Sequence, residues 1–193
     1  MIWEIWLSGL VFALQHSLLA GTAGKVRALR RGLDAQAYRR FYVVTALITT
    51  AIWLGYVRSL PDHTIYAIHG PWSWPLRGLQ ALGLWISWRA LRPIDGLAFL
   101  GIRKGDDGPD GFVEAGIYRY LRHPMYSGVI LIMFAFPVQT LNGLNLYACV
   151  ALYFMLGARL EERRMAQRYP AYADYQRRVP AFIPNVFNGN RHD

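Results

Sequence analysis

HPMYSGVILIMFAFPVQTLNGLNLYACVALYFMLGARLEER, residues His123 to Arg163, is a long apolar run with charged groups at both ends and the dipeptide Asn142-Gly143 near its middle. Pro124 suits the first position of a helix, where its missing N–H costs nothing. A proline also pushes the preceding residue out of the helical region, so His123 marks a boundary. Asn-Gly is a turn signal. The pattern predicts one apolar helix from Pro124 to about Leu141 and a second from about Leu144 to Leu160, folded as a tight antiparallel hairpin. A membrane span needs roughly 20 apolar residues, with about 17 as a floor, so both helices read as spans and the chain reads as an all-α membrane protein.

Outward from the hairpin, three further apolar segments precede it: about Ile2 to Gly21, about Phe41 to Leu60, and the shortest, about Leu76 to Leu91. The expectation is about five transmembrane helices with a C-terminal tail that completes the site. One domain covers 1–193, with 1–100 supplying the N-terminal helices and 101–193 the hairpin and tail. Composition agrees, since hydrophobic residues make up 54% and charged residues 17%, against about 25% charged in soluble domains. The net charge of +9 rests on 21 basic residues, of which all but Lys25 and Lys104 are arginine. These cluster between apolar runs, which argues for loops against an anionic leaflet and against nucleic acid. Cys149 is the single cysteine and lies in an apolar run, as a small buried hydrophobe. The opening MIWEIW lacks the basic region of a signal peptide.

The basic residues also set orientation. The loop after the first segment carries Lys25, Arg27, Arg30, Arg31, Arg39 and Arg40, whereas Pro61 to Pro75 carries none. Arg92, Arg103, Lys104, Arg119 and Arg122 follow the third segment, and Arg163, Arg164, Arg168, Arg177 and Arg178 follow the fifth. This alternation predicts an external N-terminus, an odd number of spans and a cytoplasmic C-terminus. Trp3, Trp6, Trp72 and Trp74 read as interface anchors, and His63 and His69 fall in the outer loop.

Two polar clusters then share the cytoplasmic side. A helix start offers N–H groups and a positive dipole end, so Arg122, His123 and the first turn after Pro124 can receive a carboxylate or phosphate; Arg119 and Arg122 can equally snorkel to headgroups. Glu161 and Glu162 close the fifth segment, where carboxylates oppose the helix dipole. They pair with Arg163 and Arg164 or receive a cationic ligand. Tyr118, Tyr126, Tyr169, Tyr172 and Tyr175 add aromatic faces for a cation or purine. A ligand with a carboxylate, a positive centre and an adenine answers all of these, and S-adenosylmethionine is one. Within the first segment, Gln15-His16-Ser17 is the one polar cluster. An intramembrane ionisable residue is a functional hypothesis by default, so His16 is either a catalytic base or a structural histidine. No converging metal ligands are seen.

The combination YRYLRHPMYSG (Tyr118 to Gly128), then LEER, then YPAYADYQRRVPAFIP resembles the isoprenylcysteine carboxyl methyltransferase superfamily. The matching positions are Arg122, His123, Pro124, Tyr126, Glu161, Glu162, Tyr172, Tyr175, Val179, Pro180 and Pro184. The resemblance covers roughly Gly111 to Pro184 and implies S-adenosylmethionine held by Tyr118, His123, Pro124, Met125, Tyr126 and one of Glu161 or Glu162. A weaker match over Asp110 to Val113 adds Phe112 and Val113. FALQHSLLA (Phe12 to Ala20) followed by a basic loop and YRRFYVV resembles the bacterial methanethiol S-methyltransferase and NnrU-type branches, which implies a bacterial inner membrane. That points to a small or lipophilic thiol, or an isoprenylcysteine-like carboxylate, as acceptor. Gln15, Arg159, Tyr172 and Tyr175 are then candidate substrate contacts and His16 the candidate base. The alternatives are an NADPH-dependent isoprenoid or sterol-type reductase, whose usual Asn at the position of Met125 is missing, and a non-enzymatic NnrU-type accessory protein.

Overall fold

A computed structural model describes residues 2–93, 96–100, 102 and 112–185. In chain order the elements are α1 (Ile2–Ala20), α2 (Thr22–Arg30), α3 (Ala35–Ser59), β1 (Thr64–Ala67), α4 (Trp74–Leu91), α5 (Gly96–Phe99), α6 (Pro124–Phe134), β2 (Val138–Thr140), α7 (Leu141–Arg168) and α8 (Tyr172–Arg178). Helices α1, α3 and α7 are each long and apolar enough to cross a membrane, and α6 is a shorter apolar helix. The protein is an all-α membrane protein, and its two short strands do not alter that class.

The chain forms two compact units. One comprises Met1–Ala67, Asp95–Asp107 and Val138–Val150, and the other Ile68–Ile94, Gly108–Pro137 and Ala151–Asp193. In the first, α1 and α3 run antiparallel. Tyr38 donates to the Leu19 carbonyl at 2.9 Å near one end, and the Trp53 indole donates to the Ser8 hydroxyl at 3.1 Å nearer the other. Ile5, Trp53, Val57 and Cys149 make the core, with Phe12 stacked on Trp53 at 4.9 Å. Helix α3 starts well before the expected Phe41, because the Asp34 carboxylate accepts from the amides of Gln36 and Ala37 and caps it.

The expected tight turn at Asn142-Gly143 does not form. Helix α6 stops at Phe134 rather than near Leu141, since Pro137 bars its continuation. The chain then pairs antiparallel as β2 against β1, with Ala67 opposite Val138 and a bulge between Thr64 and Tyr66. Asn142 and Gly143 are not a turn between helices but part of the first turn of α7. The Thr140 hydroxyl accepts from the Gly143 amide at 3.0 Å, as an N-cap does. Asn142 is buried: its amide donates to Asp62 at 2.9 Å, and its side chain donates to the Pro61 carbonyl at 3.0 Å. Helix α7 continues past the expected Leu160 to Arg168 as a charged extension.

In the second unit α6 packs along α4. Gly83 and Gly128 let the two backbones touch: a Cβ on Gly83 would sit 2.6 Å from the Gly128 carbonyl, and one on Gly128 would sit 2.5 Å from the Gly83 carbonyl. Small residues at a crossing are how apolar helices gain close contact in lipid, where burial alone gives no advantage.

Candidate active site

The foot of α6 is where the polar residues of the second unit gather. His123 is buried just outside the helix, and Pro124 occupies the first helical position. The His123 Nε2 lies 2.9 Å from Glu162 Oε1. That oxygen also accepts from Arg122 Nε at 2.7 Å, and Gln176 donates to Glu162 Oε2 at 3.1 Å. A carboxylate only accepts, so Nε2 carries the proton in this contact. Arg122 also donates through Nη1 to the carbonyls of Gln176, at 2.9 Å, and Val179.

Backbone bonds finish the arrangement. Arg122 N–H donates to the Pro180 carbonyl at 2.9 Å, His123 N–H to Ala181 at 3.0 Å, and the Ser127 hydroxyl to Phe182 at 2.7 Å. The tail is thus strapped across the foot of α6. Arg122 and Glu162, both candidate ligand contacts, hold that strap. This is why a carboxylate is tolerated near a helix C-terminus.

Glu161 differs from its neighbour. Its side chain is 49% exposed against 14% for Glu162, and it approaches the other imidazole nitrogen of His123, with Oε2 4.0 Å from Nδ1. The His123 ring is stacked between Tyr126 (5.5 Å, 7°) and Phe182 (5.5 Å, 27°), and Tyr126 stacks on Phe154 (4.5 Å, 15°). One half-open carboxylate, an aromatic stack and the first turn of a helix therefore share one place.

Tyr172 and Tyr175 are buried with Val179, and Phe112, Met165 and Tyr169 pack on them. Tyr175 donates to the Tyr118 carbonyl at 2.7 Å, and Tyr118 donates to the Ala90 carbonyl at 3.1 Å. Burial pushes the Tyr172 phenol up to about 12, with the Glu162 charge adding to it, and raises Tyr175 further still. Burial and then the Glu161 charge raise Tyr118. These phenols remain neutral: Tyr175 ties the tail through its bond to the Tyr118 carbonyl, and Tyr172 holds it by packing. Phe112 joins this cluster, whereas Val113 and Arg159 are exposed. Asp110 and Gly111 of the weaker match lie outside the described residues.

His16 and Gln15 belong to the first unit. The Tyr42 hydroxyl lies 2.9 Å from His16 Nε2, and the Phe12 ring lies 5.5 Å from the imidazole, tilted by 32°. The Gln15 Oε1 is buried with no hydrogen-bond partner among the described residues. Gln15 lines a cavity of about 600 Å³ together with Phe12, Thr49 and Trp53.

Sequence reasoning passed over Tyr42, Phe154, Gln176 and Phe182. Tyr42 and Phe182 lie inside the motifs YRRFYVV and VPAFIP, so a signal existed. Phe154 sits in an unbroken apolar run and gave none.

With this geometry in place, comparison with known proteins defines the class. The phospholipid methyltransferase family model matches residues 78–172, from α4 to the start of α8. The protein is a membrane methyltransferase. Among its relatives, methanethiol S-methyltransferase 2 of Bradyrhizobium diazoefficiens is 29% identical over 191 residues, covering 95% of this chain and 73% of that protein. A methanethiol S-methyltransferase of Pseudomonas sp. is 27% identical and covers 90% of this chain and 70% of that protein. Cobalt-zinc-cadmium resistance protein CzcN of Cupriavidus metallidurans is 29% identical, covering 85% of this chain and 71% of that protein. No solved structure matches the chain.

Proposed function

We propose that this membrane methyltransferase uses S-adenosylmethionine as donor and a small or lipophilic thiol as acceptor. The observation that carries the reading is the division of labour between two adjacent carboxylates. Glu162 is saturated by Arg122, His123 and Gln176, while Glu161 stays half-exposed beside His123 and the Tyr126–Phe154 stack. The donor set fits the group: Glu161 for an amino group or ribose hydroxyls, an aromatic stack for a purine or sulfonium, and the first-turn amide of Met125 for a carboxylate.

When bound, S-adenosylmethionine supplies a methyl group on a sulfonium, open to in-line displacement by a thiolate. The residues of the chain then have to align the acceptor at about 3–3.5 Å from the methyl carbon and take up the thiol proton. We assign the proton to His16, whose imidazole is held by the Tyr42 hydroxyl. Tyr172 and Tyr175 contribute by fixing the tail. The thiol class is supported by the names of the relatives. An inner-membrane location with an external N-terminus is supported by the arginine alternation. It is also supported by the meeting of the α3 end with the α7 start at Asp62 and Asn142, next to a loop free of arginine.

Calorimetry with S-adenosylhomocysteine in detergent tests the donor site. Glu161→Gln is expected to lose about 1.5–3 kcal/mol, or about 10-fold to 150-fold in affinity, with an unchanged unfolding midpoint. Parent-like affinity in both Glu161→Gln and His123→Ala, or NADPH binding that the Gln variant tightens, overturns the proposal. A panel of thiols with labelled donor tests the acceptor.

A further inference from the structure

Beside the 3-10 turn Gly116–Arg119 lies a second cavity of about 420 Å³, lined by Trp85, Ile86, Arg89, Ile117, Arg119 and Pro184 among others. It is separate from the donor site in what it is made of. Tyr118 faces inward, bonded to the Ala90 carbonyl, and its neighbours Ile117 and Arg119 line this cavity instead. Two guanidinium groups sit on apolar walls here. No carboxylate lines the cavity among the described residues, and the nearby Glu114 is paired with Arg178 at 3.1 Å. A cationic pair in an apolar setting calls for an anion that brings its own hydrocarbon.

The level in the bilayer agrees. At the foot of α4 Arg89 lies over Trp85 at 5.8 Å and Arg92 over Trp88 at 4.6 Å, and both indoles are half-exposed. Tryptophan and arginine stacked at a helix end mark the headgroup plane. We propose that this cavity binds one anionic phospholipid, its phosphate between Arg89 and Arg119 and an acyl chain over Trp85, Ile86 and Ile117. Pro184 ends the same strap whose Phe182 stacks on His123. A seated lipid therefore supports the tail from outside while the donor is held from inside. The site is independent of which acceptor is methylated, because the lipid is a ligand and leaves unmodified.

Lipid retention measures this directly. Protein reconstituted in nanodiscs of phosphatidylglycerol and phosphatidylcholine is extracted into mild detergent, and co-purifying lipid is weighed by native mass spectrometry. The parent is expected to retain one phosphatidylglycerol in preference to phosphatidylcholine. The double variant Arg89→Gln/Arg119→Gln is expected to lose that preference by about tenfold or more. Arg119→Gln alone, at an exposed residue, gives an intermediate loss without a risk to folding. Arg27→Gln/Arg30→Gln, in the basic helix α2, leaves the retained lipid in place. Equal retention of both lipids by the parent overturns the site. So does an equal loss in the α2 variant, which would mean diffuse leaflet electrostatics, and so does recovery of methylated phosphatidylglycerol, which would make the lipid a substrate.

Discussion

Helix α7 is anchored at both ends by polar clamps, and the two are built on opposite principles. At its start, Asn142 sits in a ring of neutral backbone groups completed by a single carboxylate, Asp62, at the surface. Near its end, Glu162 is partly buried and holds two cationic or potentially cationic partners, Arg122 and His123, that reach across from the foot of α6. The first clamp is closed and complete, and it joins a strand, a loop and a helix start. The second is closed on one side by Glu162 and left half-open on the other by Glu161. A clamp with an unfinished side is where a ligand can bind. The contrast separates residues saturated by the fold from those left open for the proposed donor.

Breaking the charged clamp should cost most. In Arg122→Met the Glu162 carboxylate stays partly buried without its principal partner, and the Gln176 and Val179 carbonyls lose a donor. Removing one partner of a buried pair costs about 3–5 kcal/mol. The unfolding midpoint in mild detergent should fall steeply, and cleavage by protease after Arg177 or Arg178 should accelerate as the strap detaches. A midpoint within a degree of the parent would mean that the strap is held by the aromatic cluster alone.

The neutral clamp should yield less. Asn142→Ala removes two side-chain bonds to the Leu60 and Pro61 carbonyls while leaving the backbone bond to Asp62. A net hydrogen bond is worth about 0.5–1.5 kcal/mol, so the loss should be about 1–3 kcal/mol, with donor affinity unchanged. A fall in donor affinity equal to that of Glu161→Gln would collapse the distinction between the clamps. Tyr175→Phe sits a step lower. It removes one bond, to the Tyr118 carbonyl, and should cost about 1 kcal/mol, seen as faster amide exchange across residues 172–182.

The comparison also explains what the sequence discloses and what it hides. Hydropathy locates apolar length, so α1, α3 and α7 were readable as spans, and arginine placement gave a consistent alternation. It does not locate helix ends. The run after Phe134 contains Pro137, and the chain uses Val138–Thr140 within it as a strand. Asn142-Gly143 looks like a turn in isolation, but Thr140 two residues earlier makes it a capped helix start. The polar extensions at Ala35–Arg40 and Glu161–Arg168 are invisible to hydropathy because they leave the apolar zone as helix. At the site, the residue types of the motif were legible: His123 and Glu162 do meet. The division between Glu161 and Glu162 was not, since adjacent glutamates differ only in which face of α7 turns toward Arg122. Nor can sequence show that the Arg122 guanidinium also donates to the tail carbonyls of Gln176 and Val179.

The smallest effect belongs to Asp62, and acid separates it from the rest. Partial burial works to raise its carboxyl. The amide of Asn142, the Thr140 hydroxyl, the amide of His63 and the His63 charge outweigh that and hold it below the ordinary carboxylate value. A depressed carboxylate contributes stability that is complete above its unfolded value, about 3.9, and that is lost as pH falls through the lower folded value. Asp62→Asn keeps an acceptor for the Asn142 amide but removes the charge, so at neutral pH its unfolding midpoint should lie slightly below that of the parent. As the medium is taken below about pH 4 the parent should lose this advantage and the two midpoints should converge. A parent–Asn difference that widens in acid would show that Asp62 is held protonated by its loop. The start of α7 would then be clamped by a neutral acid and not by the anion its three donors imply.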